Sequence, residues 1–196
     1  AVDWELPKNL GLNKEQVLFG PISTPIVIVI HGLNNHANYG YVRSMMRACT
    51  DRGWIAAGMN LRACGGVPLS TPRSYNAAYT GDLRSLVKRL SSRMKDSNVP
   101  MFLVGSSLSA NLVTKYLGEE GLSGSLPKNI AGGAALGNPC SMVSTKANAI
   151  FSPLLALGVK VSLFQNWNEA TRMSDSQSRK VVSNCLKAST LAQVDD

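Results

Sequence analysis

Four apolar runs, PIVIVI (25–30), WIAAGM (54–59), PMFLVG (100–105) and NIAGGAAL (129–136), are spaced along the first 139 residues. Each has the length of a strand, and each of the first three is followed by a segment whose apolar residues recur at helical spacing. YVRSMMRACTDRG (41–53) puts Val42, Met45, Met46 and Cys49 on one stripe and meets a stop at Gly53. TGDLRSLVKRLSSRM (80–94) does the same with Leu83, Leu86, Val87 and Leu90. LSANLVTKYLGEEG (108–121) reads as a helix closed by Gly118 or Gly121. Strands alternating with such helices require right-handed crossovers and a mostly parallel sheet, so the fold class is α/β. The fourth run is rich in Gly and Ala, which implies that something packs closely on it. Ahead of the first run, AVDWEL and EQVLFG are expected to add an antiparallel or edge pair.

A chain of 196 residues suits one domain with a sizeable core. Texture changes after Pro139. The expectation is a core over 1–139 and a helical, lid-like extension over 140–196, covering the sheet edge or the site. The formal charge of +8 is scattered, and only DLRSLVKRLSSRMK (82–95) concentrates Lys and Arg. That stretch lacks the interleaved aromatic residues of a nucleic-acid platform and reads as a solvated helix face; nucleic acid is not an expected partner. Attraction to an acidic membrane surface stays open, although the longest apolar run is far shorter than the roughly 20 residues of a membrane-spanning helix. No signal peptide is visible after Ala1. Cys49, Cys64, Cys140 and Cys185 form no C-x-x-C pair, so free thiols are expected, an intracellular setting is favoured, and a metal is not.

The segment VGSSLSANLV (104–113) carries the chemistry. In an open parallel sheet, ligands bind beyond the carboxyl ends of the strands, and Ser107 stands directly after MFLV. A nucleophile there needs small residues two places before and after it, and Gly105 and Ser109 qualify. The backbone N–H of Leu108, at a helix N-terminus, would face a developing oxyanion. A second donor is expected from the loop after the first parallel strand, IVIVIHGLNN, where the N–H of Leu33 follows His31 and Gly32 and precedes Asn34. His31 itself reads as a histidine satisfied by backbone groups. RACGG (62–66) reads as a glycine-rich turn, and no phosphate-binding glycine pattern is present.

HGLNNHANYGYVRSMMRACTDRGW, NLRACGGVPLSTPRSYNAAYTGDLRSLV and FLVGSSLSANLVTKYLGEEG together resemble the alpha/beta-hydrolase superfamily. More narrowly, they resemble its family four, the esterase- and lipase-like group that includes the plant embryogenesis-associated proteins. The resemblance implies the alpha/beta-hydrolase fold and hydrolysis of carboxylic esters or acylglycerols without a cofactor. It further implies Ser107 as nucleophile, Leu33 and Leu108 as oxyanion-hole donors, and His31, Gly32 and Asn34 as binding-loop residues. Two positions depart from the family pattern: Ala63 stands where RGCGG is usual, and Ser109 where the second elbow glycine is usual. The triad order of the superfamily is nucleophile, acid, histidine, yet His31 and His36 both precede Ser107. The expectation is therefore that the strands carrying acid and base are missing from this chain, leaving it impaired and its sheet edge open to self-association. A non-catalytic binding protein of the same fold is the alternative.

Overall fold

A computed structural model describes residues 1–8, 11, 13–69, 74–94, 98–139, 151–165, 176–187 and 189. Its elements in chain order are β1 (Val2–Glu5), α1 (Lys14–Phe19), β2 (Ile26–Ile30), α2 (Gly40–Thr50), β3 (Ile55–Met59), α3 (Gly81–Ser91), β4 (Met101–Ser106), α4 (Leu108–Leu122), β5 (Ile130–Leu136), α5 (Phe151–Gln165) and α6 (Ser176–Lys187). The chain falls into two compact units, one of Ala1–Leu61 with Asn76–Pro139 and one of Arg62–Tyr75 with Cys140–Asp196.

The first unit holds a five-stranded sheet in the order β1-β3-β2-β4-β5. β2 runs parallel to both β3 and β4, and β4 runs parallel to β5. Only β1 is antiparallel, pairing Val2 to Met59 at one edge. All of β2 is buried. Its Val27 and Val29 share a cluster with Val42 and Met46 of α2, and Ile26, Ile28 and Ile30 project to the opposite face at 0% exposure. Both faces are therefore covered, as the unbroken β-branched run requires. Gly58 marks the tightest approach of α2, since a Cβ there would meet the Ala37 Cβ and the Met46 Sδ at 2.8 Å. Trp54 and Phe102 stack at 5.5 Å on the same cluster.

Two expectations are corrected. EQVLFG does not pair as a strand; it lies in α1, where Asn13 and Gln16 form a capping box that satisfies the exposed amides of the first turn. α4 runs through Gly118 and Gly121 and is capped at Ser123, with Gly124 at φ +67°. Interior glycine costs a helix only about 1 kcal/mol relative to alanine, and buried Leu112, Val113, Tyr116 and Glu120 hold α4 in place. Its last turns are tied to α3: Arg84 reaches Glu119 at 2.8 Å and Glu120 at 2.5 Å, while Thr80 Oγ1 donates to Glu119 at 2.6 Å.

β5 receives the close packing its glycines suggested at one point only. A Cβ on Gly133 would stand 2.7 Å from Leu117 Cδ1 and 3.3 Å from Val113 Cγ1. Most of the strand is exposed, and no strand follows it among the described residues. In the second unit, Ala63, Gly65 and Gly66 carry the chain around a turn with φ of +62°, +70° and +75°. α5 and α6 make the tail helical where it is described. No described helix is long and apolar enough to cross a membrane. Cys49, Cys64 and Cys185 are free thiols, and Cys140 lies outside the described residues.

Candidate active site

Ser107 is the pivot between β4 and α4, at φ +54° and ψ −120°. A non-glycine residue pays roughly 1–3 kcal/mol for such a conformation, so the surroundings must enforce it. They do so from three sides. The Ser107 N–H donates to Leu136 O at 2.8 Å, the Ala110 N–H donates to Ser107 O at 2.9 Å, and Gly105 admits the returning helix. A Cβ on Gly105 would overlap Ser109 O at 2.1 Å and Ala110 N at 2.8 Å. Although Ser107 occupies the N-cap position, its side chain makes no capping bond, and the residue is exposed. Among the described residues its Oγ is uncommitted.

The second wall is the loop after β2. Gly32 lets this loop touch the elbow, because a Cβ there would stand 3.2 Å from Ser107 Cβ and 3.4 Å from Ser106 O. Asn34 turns the chain at φ +58°, a region Asn tolerates well. The N–H groups of Leu33 and Leu108 have no acceptor among the described residues, and that of Leu108 starts α4 with no intrahelical partner to reach.

His31 braces the loop. It is 0% exposed; its Nδ1 lies 2.7 Å from Gly32 O, and its Nε2 accepts the Leu61 N–H at 3.1 Å. An Nε2 that accepts leaves the proton on Nδ1, which donates to the carbonyl, so both nitrogens are occupied. Burial, the largest cause, lowers its pKa against the opposing pull of the Gly32 carbonyl. Ser109, also 0% exposed, donates from Oγ to His31 O at 2.5 Å. The hydroxyl that stands where a glycine is usual therefore ties α4 to the end of β2. Asn60 completes the frame: its Oδ1 accepts the Ala37 N–H at 2.8 Å and its Nδ2 donates to Asp3 Oδ2 at 2.9 Å.

His36 is half-buried and meets the Tyr39 ring edge-on at 6.2 Å. Glu119 and Glu120 are engaged with Arg84 at the far end of α4, and Glu169, Asp175, Asp195 and Asp196 lie outside the described residues. No described group forms a hydrogen bond with the Ser107 side chain. Sequence reasoning did not single out Tyr41, whose hydroxyl accepts the Gly32 N–H at 2.8 Å. Nothing in the local pattern signals it, since the contact spans nine residues of loop and helix.

This strand order, with a strained serine at the turn after β4, defines the class: the chain has the alpha/beta-hydrolase fold. Among proteins of known sequence it is similar to embryogenesis-associated protein EMB8 of Picea glauca, 35% identical over 123 residues, covering 63% of this chain and 26% of that protein. It is similar also to monoacylglycerol lipase of Saccharomyces cerevisiae, 35% identical over 97 residues, covering 49% of this chain and 21% of that one. The chain thus spans well under half the length of these relatives. Among solved structures, Est1E of Butyrivibrio proteoclasticus with ferulic acid bound superposes at a TM-score of 0.51 with 14% identity, covering 80% of this chain and 51% of that one. No protein-family model matches the chain.

Proposed function

We propose that this protein is a serine hydrolase of the esterase and acylglycerol-lipase type, acting on small carboxylic or lipid esters through an acyl-enzyme at Ser107. The observation that carries the reading is the exposed Ser107 at φ +54°, its hydroxyl uncommitted among the described residues, beside a loop and a helix start whose Leu33 and Leu108 N–H groups find no acceptor among those residues. In this chemistry Ser107 Oγ bonds to the ester carbonyl carbon, the carbonyl oxygen becomes an oxyanion facing the two amides, and the bond to the alcohol breaks. The hydroxyl proton leaves with the alcohol, and water then releases the acid. Similarity to monoacylglycerol lipase and other esterase relatives supports the reaction class.

Both histidines precede Ser107, and His31 spends both ring nitrogens on backbone groups. Without a base the serine is a weak nucleophile, so turnover by these residues alone is expected to be slow, and covalent labelling reads the site more directly. An activated fluorophosphonate should form an adduct on Ser107, located by peptide mass spectrometry, faster than on the urea-unfolded chain and not at all on Ser107→Ala. Equal labelling of folded and unfolded chain overturns the proposal. That no base stands beside Ser107 among the described residues also favours a second reading, a non-catalytic acyl-binding protein, for which saturable ester binding without any Ser107 adduct is the signature. The exposed β5 edge further supports self-association, and the charge of +8 supports attraction to acidic membrane surfaces.

A further inference from the structure

The His31 ring is bonded to the very peptide unit that carries the Leu33 amide. The Gly32 carbonyl, which takes the His31 Nδ1 proton at 2.7 Å, and the Leu33 N–H belong to that one unit. No described peptide is cis, so its C=O and N–H point in opposite directions. Fixing the oxygen therefore fixes the line along which the Leu33 N–H points. Gly32 has no Cβ, so without such a hold the plane of this peptide would turn easily. Its other bonds hold it less firmly: the Asn35 N–H reaches Gly32 O at 3.4 Å, and the Tyr41 hydroxyl accepts the Gly32 N–H, which belongs to the preceding peptide. The ring cannot swing, because the residue is 0% exposed, its Nε2 accepts the Leu61 N–H at 3.1 Å just beyond β3, and its carbonyl is tied to Ser109 of α4. The same glycine meets the nucleophile's residue: a Cβ built on Gly32 would stand 3.2 Å from Ser107 Cβ and 3.4 Å from Ser106 O. The Leu33 nitrogen is two bonds from that Gly32 Cα.

We infer that His31 is a positioning residue, which aims the Leu33 N–H by holding the Gly32 carbonyl from a ring anchored at Leu61. The inference rests on the proposed serine chemistry, in which Leu33 is an oxyanion donor, and assigns His31 an effect on rate beyond packing. The neutral ring performs both tasks, Nδ1 donating while Nε2 accepts; a protonated Nε2 would set its hydrogen against the Leu61 N–H. Burial, the largest cause, lowers the His31 pKa against the pull of the Gly32 carbonyl, so the neutral form persists below the ordinary 6.5. Around the ring, His36 of the same loop adds repulsion when protonated, whereas the Ser109 hydroxyl from α4 and the Leu61 amide beyond β3 do not titrate. From β1, Asp3 bonds Asn60, the residue next to Leu61.

The experiment measures fluorophosphonate labelling of Ser107 in the full chain, separating the maximal rate from the half-saturating probe concentration, for wild type, His31→Asn and His31→Gln. The Asn amide nitrogen takes the place of Nδ1 and still donates to Gly32 O; the Gln amide oxygen takes the place of Nε2 and keeps only the link to Leu61. His31→Gln should lower the maximal rate about 10- to 100-fold, short of the outright loss of one donor, with half-saturation unchanged because the bond forms only as charge develops. His31→Asn should keep most of the rate although it loses the Leu61 link. Equal losses in the two variants, or a larger loss in His31→Asn, mean that His31 merely fills the core, and overturn the inference while leaving Ser107 chemistry intact. A second measurement needs no His31 variant and so covers the case in which these misfold. The Leu33 N–H is replaced by an ester oxygen, and the ratio of wild-type to ester-variant rate is followed with pH, which cancels the serine's own dependence. That ratio should be constant near neutrality and fall towards one as pH drops through the lowered His31 pKa. A ratio that stays flat while NMR shows the His31 ring protonating, or that equals one throughout, overturns the inference. If the wild-type chain labels no faster than its urea-unfolded form, the serine chemistry fails and this inference with it.

Discussion

Ser109 illustrates how one atom changes the meaning of a motif. Its position calls for a small residue because the elbow is tight, and a glycine would satisfy that demand by volume alone. The hydroxyl adds a buried bond to His31 O, linking the helix that presents Leu108 to the loop that presents Leu33. A buried carbonyl that loses its donor costs roughly 1–3 kcal/mol. Ser109→Ala should therefore destabilise the chain by about 1–2 kcal/mol in urea unfolding. Ser109→Gly, although it restores the common G-x-S-x-G spacing, should lose about 0.5–1 kcal/mol more, through backbone entropy in α4. A glycine variant as stable as wild type would show that the bond contributes nothing. Ser106, Ser107 and Ser109 lie within four residues, yet only Ser107 has an exposed hydroxyl in a left-handed turn; the sequence names the candidates and the backbone selects among them.

At the scale of elements, α3 and α4 are joined by charge. Glu119 receives hydrogen bonds from Lys115, Thr80 and Arg84, and these hold its carboxyl down to about 2, below its ordinary 4.5, the Lys115 contact being the largest cause. A carboxyl with a depressed folded-state pKa contributes stability that is fully present above 4.5 and disappears as pH falls towards about 2. The urea midpoint should fall across that window, and Glu119→Gln should flatten the fall while lowering the midpoint at neutral pH. An unchanged acid slope in the variant would assign the acid sensitivity to other groups. The helical stripe of α3 was plain from Leu83, Val87 and Leu90, whereas this bridge between Arg84 and residues 35 and 36 places further on was not, because ion pairs have no periodic signature.

Across the whole molecule, the sheet has two unlike edges. β1 closes one side as an antiparallel strand, and β5 forms the other with most of its residues exposed. An edge that offers unpaired backbone groups recruits further strands unless charge blocks it. Self-association is thus expected to grow with protein concentration in sedimentation experiments, and Ala135→Lys, at an exposed β5 position, should reduce it. A monodisperse wild-type monomer at all concentrations would remove that expectation. The net charge of +8 coexists with a well-buried centre, since β2 and β4 carry no Lys or Arg between Ile26 and Ile30 or between Met101 and Ser106.

What the residues determined unaided is the α/β architecture, the mostly parallel run of the strands, and the position of Ser107 at a strand end. These follow from periodicity and steric demand, both local properties that a linear chain displays. What only the tertiary structure decided is which polar groups are spent and which remain available. The backbone partners expected of His31 are fixed as Gly32 and, thirty residues away, Leu61, Ser109 reaches His31 across 78 residues, and the Tyr41 hydroxyl accepts the Gly32 N–H. Hydrogen bonds between distant segments depend on three-dimensional placement to within a fraction of an ångström, and no spacing rule along the chain encodes that.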